Sequence, residues 1–164
     1  MSKADMLRDL DEEYKKCEEL LNEIGKGRME TPGVAGFWSV KDIVGHITSW
    51  RRRTVQRLQA VAKSEDAPPP PWPADLKDDD SINAWFYERE RAKSVEQVLN
   101  DSRQVFQELR AAIDALPEDT LADPRRFPWL EGKPLTAVLL FSHFHEEHEP
   151  GMRTWLARQE ASEA

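Results

Sequence analysis

The sequence predicts an all-α fold, a four-helix bundle with two crossover loops and a short extra helix. Three observations carry this. Apolar residues recur at intervals of three and four along four long stretches, and period-two alternation is almost absent. Two stretches rich in proline and tryptophan, 66–81 and 123–133, interrupt that pattern where a helix cannot continue. The 164 residues suit a single domain, 1–164, with one sizeable core.

The first helix is expected over 3–23. Leu7, Leu10, Tyr14, Cys17, Leu21 and Ile24 form its apolar stripe, and Gly25 and Gly27 stop it. Ser39 is placed to cap the second helix, with Asp42 in its first turn and Val40, Ile43, Val44, Ile47, Thr54 and Leu58 facing inward. The run Pro68-Pro69-Pro70-Pro71-Trp72-Pro73 favours an extended polyproline conformation. Neither flank alone holds enough helices for a core, so this run reads as an ordered loop over the bundle rather than an interdomain linker. A short helix follows over 82–91. Ser94 and Gln97 form a capping box for the third long helix, whose stripe runs from Val95 to Ile113 and which Pro117 ends. Pro134 suits the first turn of the last long helix, 135–158, which Pro150 should bend near His145 and His148.

A net charge of −8 repels phosphate backbones and argues against nucleic acid as a direct partner. The triplet Arg51-Arg52-Arg53 reads as a solvated helix face, because a nucleic-acid footprint needs a wider basic patch. Cys17 is the sole cysteine, which excludes an intramolecular disulfide and suits a reducing cytosol; among Leu20, Leu21 and Ile24 it reads as a small core residue. No run approaches the roughly 20 apolar residues that span a bilayer, and the first residues carry no apolar signal region. The expectation is a cytoplasmic protein with no membrane partner.

Phosphate-cradling GxxxxGK[ST] and GxGxxG motifs are missing, and the segment 145–148 is not HExxH because its histidines are three apart. What remains is a concentration of histidine and tryptophan. On a helix stepping 100° per residue, Val138, Phe141, His145, His148, Met152 and Trp155 share a stripe, while His143 points almost the opposite way. His46 lies on the flank of its own stripe beside Trp50. Two readings of His46, His145 and His148 stand side by side. They could converge as three neutral imidazoles on a divalent metal, zinc or nickel, with an open fourth position. Otherwise each makes a local hydrogen bond near a bundle opening; in a hydrolase, a separate expectation, His148 or His46 would serve as general base toward water. Trp38, Trp50, Trp129 and Trp155, with Asn83 and Tyr87 one turn apart, are candidates to contact a planar or greasy small molecule, with Trp72 also near the pocket mouth; core packing is the competing role for the indoles.

The run Gly36-Phe37-Trp38-Ser39-Val40-Lys41-Asp42-Ile43-Val44-Gly45-His46-Ile47-Thr48-Ser49-Trp50 resembles the GWSVKDxxxHxxxW segment of the ClbS/DfsB family within the DinB-like superfamily. Asn83 and Tyr87, then Phe127-Pro128-Trp129-Leu130 with Gly132, then Glu147-His148-Glu149-Pro150-Gly151-Met152-Arg153-Thr154-Trp155, match in the same order. The resemblance implies a four-helix bundle with a small-molecule cleft at one end. Named members of that family protect their hosts from a genotoxic metabolite by opening a reactive cyclopropane. The wider superfamily includes metal-dependent enzymes that use low-molecular-weight thiols, with three histidines from the second and fourth helices. His46 and His148 fit that pattern, whereas the position four residues before His148 holds Phe144. Three functions are therefore expected: a hydrolase detoxifying a reactive electrophile, a metal-dependent thiol transferase, or a ligand-sequestering module that pairs as a homodimer.

Overall fold

The computed structural model describes residues 2–164, and among them the regular structure is helical. Helix α1 (Lys3–Ile24) opens with a reciprocal cap between Ser2 and Asp5. It ends at Gly25, whose φ of 80° is open to glycine at little steric cost. The stripe is slightly rotated from expectation: Met6, Leu10, Cys17, Leu20 and Ile24 are buried, with Leu7, Tyr14 and Leu21 only partly so.

Helix α2 (Val40–Ala62) begins as the sequence predicts. Ser39 Oγ accepts from the Asp42 amide at 3.2 Å, and the Asp42 carboxylate accepts from the Ser39 amide at 2.9 Å. Helix α3 (Asp79–Glu90) starts earlier than expected because Asp78 caps it, accepting from the Ser81 amide. It approaches α2 closely at Gly45, where a Cβ would lie 3.3 Å from Glu90 Cβ. Helix α4 (Val95–Asp114) has the expected Ser94–Gln97 capping box, and a single turn, α5 (Glu118–Leu121), follows Pro117. The polyproline segment lies on the bundle as a loop. The Pro68 carbonyl accepts from Arg53, and Trp72 packs against Trp50 and Phe86.

The last helix departs from the expected continuous element. Pro134 precedes the helix rather than forming its first turn, and Thr136 caps a single turn, α6 (Ala137–Leu140), by accepting from the Leu139 amide. After Phe141 and Ser142 comes a π-helical turn, His143–His148, and only then α7 (Glu149–Glu163). The amide of Glu149 donates to the Phe144 carbonyl five residues back, and Pro150 has no N–H with which to resume an α-helical ladder. Val138, expected on the inner stripe, is 67 % exposed.

Helix α2 packs along α4 and under α3, and α1 packs on α4 and α6. One apolar core links them, centred on Leu10, Leu58, Phe106, Leu109, Phe141, Met152 and Trp155. It also holds Cys17, whose thiol burial pushes up to about 12, leaving it an inert apolar filler.

Candidate metal centre and cleft

Helix α2 contributes His46 through an ordinary α-helical turn, and the π turn contributes two more imidazoles. In an α-helix His143 and His148 would stand well apart around the axis. A π turn stacks residues five apart, so both face α2. His143 Nε2 lies 3.0 Å from His46 Nε2 and 3.0 Å from His148 Nε2, and the three ligand atoms fall within 4.8 Å of one another. His145 goes elsewhere. Its Nδ1 meets Glu149 Oε1 at 2.7 Å, and its Nε2 comes within 2.6 Å of a Glu13 carboxylate oxygen on α1 without an aligned hydrogen bond. The expected set His46, His145, His148 is thus corrected to His46, His143, His148. The 100° step that put His143 on the far side does not apply where the helix is π.

The donor set fits a divalent cation. Burial, together with repulsion from the neighbouring rings, lowers the His46 imidazole to about 3; burial, His148 and Arg51 lower His143 to about 4, and burial lowers His148. All three are therefore neutral near pH 7 with lone pairs to offer. Without a cation the ring nitrogens cannot satisfy one another. His143 Nε2 carries one proton or one lone pair, yet two other Nε2 atoms sit 3.0 Å away. His46 Nδ1, also buried, has no partner. Tetrahedral zinc ligands at 2.0–2.1 Å stand about 3.3 Å apart, close to the 3.0 Å that separates His143 from each of the other two rings.

The histidines open into a cavity of about 420 Å³ between α2, the start of α3 and the π turn. Trp50 and Asn83 line it and are fastened together, the indole Nε1 donating to Asn83 Oδ1 at 2.8 Å. Trp38 and Tyr87 are not in its wall. They stack on each other at 5.7 Å, and Trp38 meets the His46 ring edge-on, bracing it from behind. Trp129 packs on Phe127 and reaches the cavity only through Arg57, whose guanidinium lies 5.7 Å from the indole. Trp155 is 2 % exposed in the core, so its expected ligand contact is replaced by packing.

Sequence reasoning missed the cavity's cations. Arg51, Arg53 and Arg57 line it, and Arg51 and Arg53 are buried rather than solvated as the triplet suggested. Only Arg52 behaves as a surface residue, pairing with Glu90 and Asp101. One signal was legible: His46, Trp50, Arg53 and Arg57 follow an i, i+4, i+7, i+11 spacing that places them on one stripe of α2.

A family model described as the DinB superfamily matches residues 9–149. A crystal structure of a Streptococcus pneumoniae protein from a structural genomics effort superposes with a TM-score of 0.71 at 12% identity, covering 98% of this chain and 91% of that one; the likeness is one of fold. Comparison with curated proteins returns no match. Among the described residues, no helix is long and apolar enough to cross a membrane.

Proposed function

From the premise that this chain belongs to the DinB superfamily, we propose that it is a metal-dependent enzyme acting on a small molecule, with a low-molecular-weight thiol as the incoming nucleophile. The observation that carries this reading is the convergence of His46, His143 and His148 at the floor of a cavity large enough for a metabolite. A divalent cation such as zinc or nickel, when bound there, supplies Lewis acidity that lowers the pKa of a thiol or a water toward neutrality.

The chain's own residues do the rest. His46 is held by its helix and by Trp38, so its ring cannot swing out of the set. The π turn presents His143 and His148 together and leaves the cavity side of the three rings open to an incoming molecule. Trp50 offers an indole face for an apolar portion, and Asn83, which accepts from that indole, keeps its amide NH₂ to donate to a polar one.

The run from Gly36 to Trp50 supports a second reading, a ClbS/DfsB-type hydrolase that opens a reactive ring with water, because that segment delivers His46 and Trp50 to the cavity wall. Elemental analysis of untagged protein, followed by assay of an epoxide or cyclopropane electrophile with and without thiol, separates the two. The thiol reading expects near-stoichiometric zinc or nickel and turnover that needs thiol. Metal-free protein that consumes the electrophile in water alone would overturn it in favour of the hydrolase.

A further inference from the structure

The cavity beside the three histidines holds an unusual excess of uncompensated positive charge for a chain of net charge −8. Arg51 is 8 % exposed, and its guanidinium lies over the Phe141 ring at 4.6 Å. Cys17, Tyr14 and His143 are the titratable side chains that bear on it, the first two held protonated by burial, and among the described residues no carboxylate lies within ion-pair distance of it. Arg53 is equally buried. Its Nη1 donates to the Pro68 carbonyl and to Gln56 Oε1, both uncharged, and its Nε is buried with no partner. Arg57 has the Trp129 ring for company, and Arg53 as a like-charged neighbour.

Burying unpaired guanidinium groups is costly, and structural arginines normally sit against carboxylates. On the outer side of α2, Arg52 does just that. The acids on the cavity wall, Asp79 and Glu147, are exposed at its rim, and Glu147 lies 3.5 Å from His143 rather than on an arginine. Three arginines against two acids leave a surplus of one positive charge, before any cation is held by the histidines.

We infer that the cavity is built to take an anionic small molecule, its carboxylate held by Arg51, Arg53 and Arg57 while its reactive portion reaches the three histidines. A guanidinium fork matches a carboxylate in bidentate geometry and is dehydrated more readily than an ammonium group. The surplus positive charge, raised further by any cation on the histidines, leaves room for a second anionic group besides the carboxylate held in the forks. This assignment deepens the proposed reading by naming the class of substrate or thiol that the site accepts, but the arginines do not depend on the metal for their placement.

The test is calorimetric titration and thermal shift of the full chain in low-chloride buffer, using succinate, its neutral diamide and inorganic phosphate as probes. Wild-type protein is expected to bind succinate and not the diamide, with phosphate weaker. Arg57→Gln should weaken succinate binding at least tenfold, the order expected when one charge-assisted pair is lost. Arg51→Met should do the same without lowering the melting temperature of ligand-free protein, because it removes an unpaired buried charge while keeping an apolar stem; a merely structural arginine would lower it. His143→Ala should lose zinc yet keep succinate binding, and both arginine variants should keep zinc. Equal binding of succinate and diamide, or succinate binding unchanged in both arginine variants, overturns the inference while leaving the metal reading intact.

Discussion

The imidazole of His46 is 5 % exposed, with Nδ1 unpartnered and Nε2 aimed at another imidazole. Such a group resists protonation, and the consequence for stability has a definite sign. His46 and His143 fall to about 3 and about 4 in the folded chain, whereas unfolded histidine titrates near 6.5. Between those limits the unfolded state binds more protons, so metal-stripped protein keeps its full stability above about pH 7 and loses it as pH falls through 6 toward 4. Each such histidine steepens the loss by about 1.4 kcal/mol per pH unit. Urea unfolding of chelator-treated protein at pH 7.5 and pH 5 should show this, and His46→Gln should flatten the slope; a profile unaffected by that substitution contradicts the assignment. His145 has a different task. Holding Glu13 of α1 and Glu149 of α7, it ties the first helix to the last, and His145→Ala should cost about 1–3 kcal/mol while leaving zinc content unchanged. The four histidines were legible in the sequence as a group, but not which three converge. That depends on the local winding of the helix, which a 100° step assumes rather than tests.

At the scale of elements, the features the sequence revealed are those set by neighbours in the chain. The caps at Ser39 and Ser94, the stop at Gly25 and the break at Pro117 are local hydrogen-bonding or steric facts, and each appears where expected. The last helix departs from the expected continuous element because Pro150 does more than bend it. A proline ring crowds the carbonyl four residues back, and widening the preceding turn relieves that contact while adding one residue to it. The five-residue spacing of His143 and His148 in a π turn therefore does what a four-residue spacing does in an α turn. It also explains why the position four before His148 holds the buried Phe144 rather than a ligand. A variant lacking the exposed Glu146 and carrying Pro150→Ala should wind as plain α-helix with the two histidines four apart. Its zinc affinity is expected within tenfold of wild type by competition with a chromophoric chelator. Complete loss of zinc binding in a folded variant would contradict this account of the π turn.

At the scale of the whole molecule, stability and chemistry occupy different faces of the same helices: on α2 the cavity residues His46 to Arg57 interleave with the core residues Val40 to Leu58. The core around Phe106, Phe141 and Trp155 carries the fold, and Trp155→Ala should cost about 3–5 kcal/mol in chemical denaturation without changing zinc stoichiometry. The cavity face instead collects neutral imidazoles and unpaired guanidinium groups that a protein selected for stability alone would not bury. Hydropathy patterning sees the first region and is blind to the second. Arg51 and Arg53 look like surface residues by composition, and only their place between α2, α3 and the π turn reveals otherwise.

The most direct measurement is anomalous diffraction at the zinc edge from crystals of untagged, zinc-loaded protein. The account predicts one strong peak about 2 Å from Nε2 of each of His46, His143 and His148, with His145 still on Glu13. A peak on His145, or fully loaded protein with its zinc bound away from these three rings, would contradict it.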